Sequence, residues 1–211
     1  MDDTDCRVAA VRAVGPDTVA IDIETPTEFS ARPGQFVKLT FEVDGETEPR
    51  FYTISSPEVT ETFEITVGID SDGTVGPLLG GLTAGDTVTV AGPFGSDYYE
   101  DESRAVVLAG GPGVGPAVGI AERALAEGND AAIVYRDDEP VHEERLAALD
   151  DAGTFVRLLD ADEDLTDATA AALEDGGQLF VYGFADFIDA ATAAVEDAGG
   201  TTDDAKIENF G

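Results

Sequence analysis

Val106-Val107-Leu108-Ala109-Gly110-Gly111-Pro112-Gly113-Val114-Gly115-Pro116 is the stretch on which the fold turns. Ala105 to Ala109 is a continuous apolar run, the pattern of a strand covered on both faces. It leads into a turn with four glycines in six residues, and Pro116 to Ala126 then has helical spacing. Glycine lets a backbone approach a pyrophosphate closely, and the first turn of the helix offers free N–H groups and a partial positive charge. The competing reading is an ordinary tight strand-to-helix turn, and on these residues alone both stand.

Downstream the alternation continues. Strand Ala131 to Tyr135, helix Val141 to Leu149, strand Phe155 to Leu159 and helix Asp167 to Glu174 come in turn. Strand Leu179 to Tyr182, helix Asp186 to Ala198 and a last strand near Ala205 to Phe210 follow. Such alternation predicts a parallel sheet with helices on both faces. Upstream the period is two. Arg7 to Val14, Val19 to Glu24, Phe36 to Val43, Phe63 to Ile69 and Thr87 to Val90 read as strands, separated by turn residues such as Arg32-Pro33-Gly34 and Asp44-Gly45. Short strands at this spacing predict a small antiparallel barrel, with Gly76 to Leu82 as one short helix. The polar stretch Ser96 to Ser103 reads as a linker. The expected fold is a two-domain β plus α/β protein: an antiparallel β-barrel over residues 1–99 and a parallel-sheet α/β domain over residues 104–211.

Composition narrows the function classes. The chain carries 45 acidic residues against 11 basic ones; nine of the latter are Arg, and only Lys38 and Lys206 are Lys. Such a surface repels nucleic acid and anionic lipid, so neither is expected as a partner. Its self-repulsion is relieved by salt, since the Debye length falls to about 3 Å at 1 M. The balance resembles that of haloarchaeal proteins, and a halophilic protein is expected. No stretch approaches the roughly 20 unbroken apolar residues of a membrane span, and the acidic start Met1-Asp2-Asp3-Thr4-Asp5 lacks signal-peptide character, so a cytoplasmic location is expected. Cys6 is alone, which excludes an intramolecular disulfide and leaves this chain without the four cysteines of an iron–sulfur cluster. His142 is the sole histidine and, among Glu139, Glu143 and Glu144, reads as a surface residue at a solvated helix start.

A second motif is Arg50-Phe51-Tyr52-Thr53. A guanidinium suits bidentate phosphate recognition, and an aromatic ring can cover a flat ligand. The plain alternative is an ordinary alternating strand through Phe51 and Thr53, and the residues alone do not decide. The order of motifs does. Arg50-Phe51-Tyr52-Thr53 resembles the Arg-x-Tyr-Ser/Thr flavin motif of the ferredoxin–NADP(+) reductase superfamily. Gly73-Thr74-Val75-Gly76 lies where that family has a Gly-x-x-Ser flavin-phosphate turn, and Gly92-Pro93-Phe94-Gly95 is similar to its Gly-Pro-x-Gly. Gly110-Gly111-Pro112-Gly113-Val114-Gly115-Pro116 resembles its nicotinamide loop. Val181-Tyr182-Gly183-Phe184 takes its Cys-Gly-Pro position, and Glu208-Asn209-Phe210 is similar to its Glu-x-Phe.

The resemblance implies a flavin-dependent oxidoreductase that moves hydride between NAD(P)H and FAD. Electrons would pass to a separate acceptor, such as a ferredoxin or an oxygenase component. Arg50 would hold the flavin phosphate, with Phe51 beside it in the motif. Tyr52 would pack on the flavin ring and Thr53 would offer a hydrogen bond near flavin N5, which makes these two the candidate catalytic residues. Gly73, Thr74, Val75 and Gly76 would present N–H groups to the flavin pyrophosphate. Gly110, Gly111, Gly113, Val114 and Pro116 would hold the nicotinamide dinucleotide, and Tyr182, Gly183 and Phe210 would line its ring. Arg136 lies where the family reads the adenosine ribose, and favours NADP, whereas Asp137 and Asp138 beside it favour NAD. Three positions depart from the pattern: Gly76 for Ser, Pro112 for Thr, and Tyr182 with Phe184 for Cys and Pro. The Gly76 and Tyr182 positions motivate the alternative of a non-catalytic flavin- or nucleotide-binding regulatory or assembly subunit.

Overall fold

A computed structural model describes residues 1–211. The first half is a six-stranded antiparallel sheet made of β1 (Thr4–Gly15), β2 (Thr18–Glu24), β3 (Phe36–Val43), β4 (Glu46–Thr53), β5 (Thr62–Gly68) and β6 (Thr87–Phe94). The strand order is β4-β3-β6-β1-β2-β5. A bridge between Ile54, just past β4, and Ile65 of β5 joins the two ends, so the sheet curls into a barrel. Period-two sequence decides which face turns inward. Along β3, Val37, Leu39 and Phe41 are buried, while Phe36, Lys38 and Thr40 alternate with them. The inward set packs with Ile21, Ile23, Phe63 and Ile65 into one apolar core. Helix α1 is short, Gly76–Gly80.

The second half is a five-stranded parallel sheet of β7 (Arg104–Gly110), β8 (Asp130–Arg136), β9 (Phe155–Leu159), β10 (Gln178–Gly183) and β11 (Lys206–Asn209), ordered β11-β10-β7-β8-β9. Four helices cover it: α2 (Val114–Ala126), α3 (Glu143–Asp151), α4 (Thr166–Leu173) and α5 (Ala185–Asp197). The apolar run of β7 is explained by this sandwich. Ala105, Val107 and Ala109 join the core under α2 and α3, and Val106 and Leu108 join the core under α4 and α5. All five are fully buried, each larger side chain contributing about 1.5–3 kcal/mol.

The stretch between the sheets has no regular structure, but it is anchored. Tyr99 is buried, its hydroxyl donating to Glu102 O and accepting from Asn129. Lys206 of β11 donates to Tyr98 O and pairs with Glu100 and Glu102. No helix is long and apolar enough to cross a membrane.

Candidate functional site

Strand β4 pairs along its length only with β3, so its other edge is free. That edge opens onto a cleft of about 580 Å³ between the two sheets. Arg50, Phe51, Tyr52 and Thr53 of β4 line it, opposite Pro112 of the glycine turn, Pro116 of α2, and Phe184 and Phe210 past the ends of β10 and β11. Thr66, Gly68 and Asp70 form the floor toward β5. The volume lies within the usual range of small-molecule sites.

Its chemistry is graded along β4. The Arg50 guanidinium is 40% exposed and close to Glu48 (3.0 Å) and Pro49 O (2.8 Å). Tyr52 is half-buried against the barrel core, and that burial, partly offset by Arg50, pushes its phenol up to about 12, so it stays neutral. Thr53 donates its hydroxyl hydrogen to Glu208 Oε1 of β11 at 3.0 Å, a bond that joins the two domains. Burial raises Glu208 to about 7; the Thr53 bond opposes the rise and Asp97 adds to it. A carboxyl group that changes protonation near neutrality therefore sits directly behind a cleft hydroxyl. Phe184 and Phe210 meet edge to face at 6.1 Å on the far wall.

The glycine turn follows from its packing. Gly111 to Gly113 form a single 3₁₀ turn, with Gly111 at φ +56°, leading directly into α2. A Cβ on Gly113 would stand 2.2 Å from Tyr182 O, so only glycine lets the turn lie on the end of β10. The carboxylate of Asp137, just past β8, lies 4.0 Å from where a Gly111 Cβ would be.

Six of the residues named from sequence therefore share one cleft: Arg50, Phe51, Tyr52, Thr53, Pro116 and Phe210. Gly110, Gly111, Gly113, Val114 and Gly183 lie in the backbone of the turn and strand end beside it rather than in its lining. Tyr182 points away. It is fully buried, stacks on Phe180 at 6.4 Å and donates its hydroxyl to Asp97 O at 2.7 Å, and burial holds its phenol well above the ordinary range. Arg136 also turns aside, its guanidinium 5.3 Å over the Phe187 ring, in a separate hollow shared with Asp162, Glu163, Asp164 and Asp197. Gly73, Thr74, Val75 and Gly76 lie outside the lining. Asp70, which does line the cleft, organises their turn by accepting from Asp72 N–H at its Oδ1 and from Gly73 N–H at its carbonyl. A Cβ on Gly76 would stand 1.7 Å from Asp70 O, so this turn excludes a serine there.

Two features went unread in the sequence. Glu208 stands in a quoted motif, but its partnership with Thr53 crosses 155 positions. His142 was expected on the surface and is instead 4% exposed at the domain interface. Its acidic neighbours are solvated, but the residue itself has φ +57°, ahead of α3, and its ring reaches Thr66. Burial, with Arg145 adding, lowers it to about 4, so it is neutral.

Comparison with known proteins agrees with this geometry. Residues 5–99 match the family described as "Oxidoreductase FAD-binding domain". The chain is 43% identical over 99 residues to the glycine betaine monooxygenase reductase subunit of Chromohalobacter salexigens, a match covering 44% of this chain and 26% of that protein. It is 27% identical over 150 residues to the toluate 1,2-dioxygenase electron transfer component of Pseudomonas putida, covering 67% of this chain and 44% of that one. The chain thus spans under half the length of these relatives. Among solved structures, a ferredoxin NADP+ reductase from Neisseria gonorrhoeae with bound FAD and NADP superposes over 100% of both chains (TM-score 0.83, 19% identity). The flavohem-like FAD/NAD-binding domain of nitric oxide dioxygenase from Vibrio cholerae does so at TM-score 0.84 and 19% identity. At these identities the structural likeness is one of fold.

Proposed function

We propose that the chain is a member of the ferredoxin–NADP(+) reductase superfamily and that its interdomain cleft holds FAD and accepts hydride from a nicotinamide dinucleotide, the electrons leaving to a separate acceptor. The observation that carries this reading is the shared cleft: the Arg50–Thr53 motif and Pro112 of the glycine turn line a single cavity. The residues fit the cofactor. Arg50 supplies the one guanidinium in the lining for a phosphate, Tyr52 a neutral aromatic face for a flat ring, and Thr53 a hydroxyl. Bound flavin supplies two-electron and one-electron chemistry in one group. The protein would supply placement: the free edge of β4 would carry the flavin, Phe184 and Phe210 would give the far wall an apolar surface, and Glu208 would hold a proton behind Thr53 Oγ1.

For the dinucleotide, the acidic side of the sequence reading gains support. A carboxylate past the second strand of a βαβ unit suits ribose hydroxyls and repels a 2′-phosphate, and Asp137 is the side chain nearest the glycine turn there. Arg136 is occupied over Phe187. This favours NADH over NADPH. The two relatives named above serve oxygenases by their names, and an oxygenase component or a ferredoxin is the acceptor class proposed here. Halophily remains the reading of the charge balance, and a cytoplasmic location is proposed beside it.

Calorimetric titration of the flavin-free protein with FAD, and then with FMN, tests the cofactor assignment. One-to-one binding of FAD is expected. Absence of FAD binding at high KCl would end the proposal.

A further inference from the structure

The domain interface holds a buried polar network whose bonds run in one direction. Ser55 is fully buried, and Thr66, His142 and Glu64 are 6%, 4% and 7% exposed. His142 Nε2 lies 2.8 Å from Thr66 Oγ1, Thr66 donates to Ser55 Oγ at 3.0 Å, and Ser55 donates to Glu64 Oε1 at 2.9 Å. The single hydroxyl proton of Thr66 is given to Ser55, so its oxygen accepts from His142. This fixes the neutral imidazole with its proton on Nε2. Glu64 ends the chain as an ionised acceptor, held below the usual carboxylate range against its burial by Arg145 and Arg12, and bonded to them at 2.8 and 2.5 Å.

Arg145 of α3 is the junction between domains. Beyond Glu64, it donates to Ser55 O at 2.9 Å and grips both carboxylate oxygens of Glu122 on α2 at 2.8 and 2.7 Å. His142 N–H adds a backbone bond to Val14 O of β1 at 2.9 Å. Helix α2 lies against the same barrel residues through its glycines. A Cβ on Gly115 would meet Thr66 Oγ1 at 2.8 Å, and one on Gly119 would meet Ser55 O at 2.8 Å. The helix that begins at the glycine turn is thereby held in contact with Thr66, which lines the cleft.

The buried segment His142–Thr66–Ser55–Glu64 is tolerable only with every partner in place, so it is satisfied at one relative placement of the domains; an apolar contact would permit sliding. We propose that this network fixes the nucleotide domain against the flavin side of the cleft, with His142 acting as a positioning residue through Thr66 and Arg145 through Glu64 and Ser55. Its catalytic consequence rests on the cofactor reading above: the glycine turn and the β4 motif keep the spacing that hydride transfer needs.

The test uses the full-length chain and two substitutions. His142→Asn tolerates the left-handed backbone but is too short to reach Thr66. His142→Gln carries its amide nitrogen about where Nε2 stands. In the Asn variant, amide hydrogen exchange should speed up about tenfold or more within residues 12–16 and 140–146, with β7 and β8 still protected. Flavin reduction at saturating NADH should fall about tenfold while KM for NADH changes less than about threefold, since small misplacements act on the chemical step. The Gln variant should restore both, and adding Thr66→Val to the Asn variant should cost little more, because the shared bond is already lost. Unchanged exchange in both segments, or a Gln variant no better than Asn, overturns the proposal. A wild-type protein that binds no FAD overturns the cofactor reading instead, and the exchange pattern still decides this one.

Discussion

Replacing Glu208 by Gln converts the domain-joining bond into a pH probe. The carboxyl accepts Thr53's hydroxyl hydrogen in a largely buried position, and burial raises it to about 7 from an ordinary 4.5. A rise of about 2.5 units corresponds to roughly 3 kcal/mol at 1.36 kcal/mol per unit, and partial exposure brings the expected value to about 2–3 kcal/mol. The sign follows from proton counting. Between about pH 4.5 and 7 the folded chain keeps a proton that the unfolded chain has released, so stability falls as pH rises through this window. The contribution is fully present below 4.5 and is lost above 7. Glutamine still accepts from Thr53 through its amide oxygen but does not titrate. Urea unfolding of wild type and Glu208→Gln, at one high KCl concentration and several pH values, isolates the effect as a difference. The wild type should lose about 2–3 kcal/mol relative to the variant between about pH 4.5 and 8. A difference constant to within about 0.5 kcal/mol across that range would refute the assignment of a raised, buried carboxyl.

Three further outcomes are expected. Arg50→Ala should leave the fold intact and weaken FAD binding roughly ten- to hundredfold, the loss of one charge-assisted phosphate contact, as read by equilibrium dialysis; full retention of flavin would remove Arg50 from the site. Asp137→Ser should move the ratio of kcat/KM for NADPH over NADH upward by roughly tenfold, the order of one screened like-charge repulsion; an unchanged ratio would place the ribose elsewhere. Transfer from molar KCl to dilute buffer should unfold the protein or release its flavin, because at about 0.01 M the Debye length reaches about 30 Å and 45 acidic residues repel across the whole molecule; circular dichroism unchanged across the series would contradict this.

The two sheets were legible because their periods differ. The β7 run Ala105 to Ala109 has no polar face, and the structure gives it none. The β3 segment alternates, and the structure buries every second side chain. Strand β4 was harder to see, since Glu46 to Glu48 are polar, Pro49 interrupts the pattern, and its free edge faces a cleft rather than another strand. The candidate site was legible where function sits in consecutive residues, as in Arg50 to Thr53. It was not legible where side chains meet across domains. Nothing local to Thr66, His142 or Glu208 distinguishes a buried interface group from a solvated one, because burial there depends on α2 lying against the barrel. Tyr182 shows the converse. It occupies a motif position, but the ring turns down to Asp97 and leaves the cleft to Phe184.

If one cleft brings a flavin and a nicotinamide dinucleotide together, the reduced nucleotide must bleach the flavin. Anaerobic addition of one equivalent of NADH to the FAD-loaded protein in high KCl, followed by absorbance, tests it most directly. The yellow flavin band should bleach within the mixing experiment and return on admission of an electron acceptor. A protein that binds FAD and stays yellow with both NADH and NADPH would contradict it.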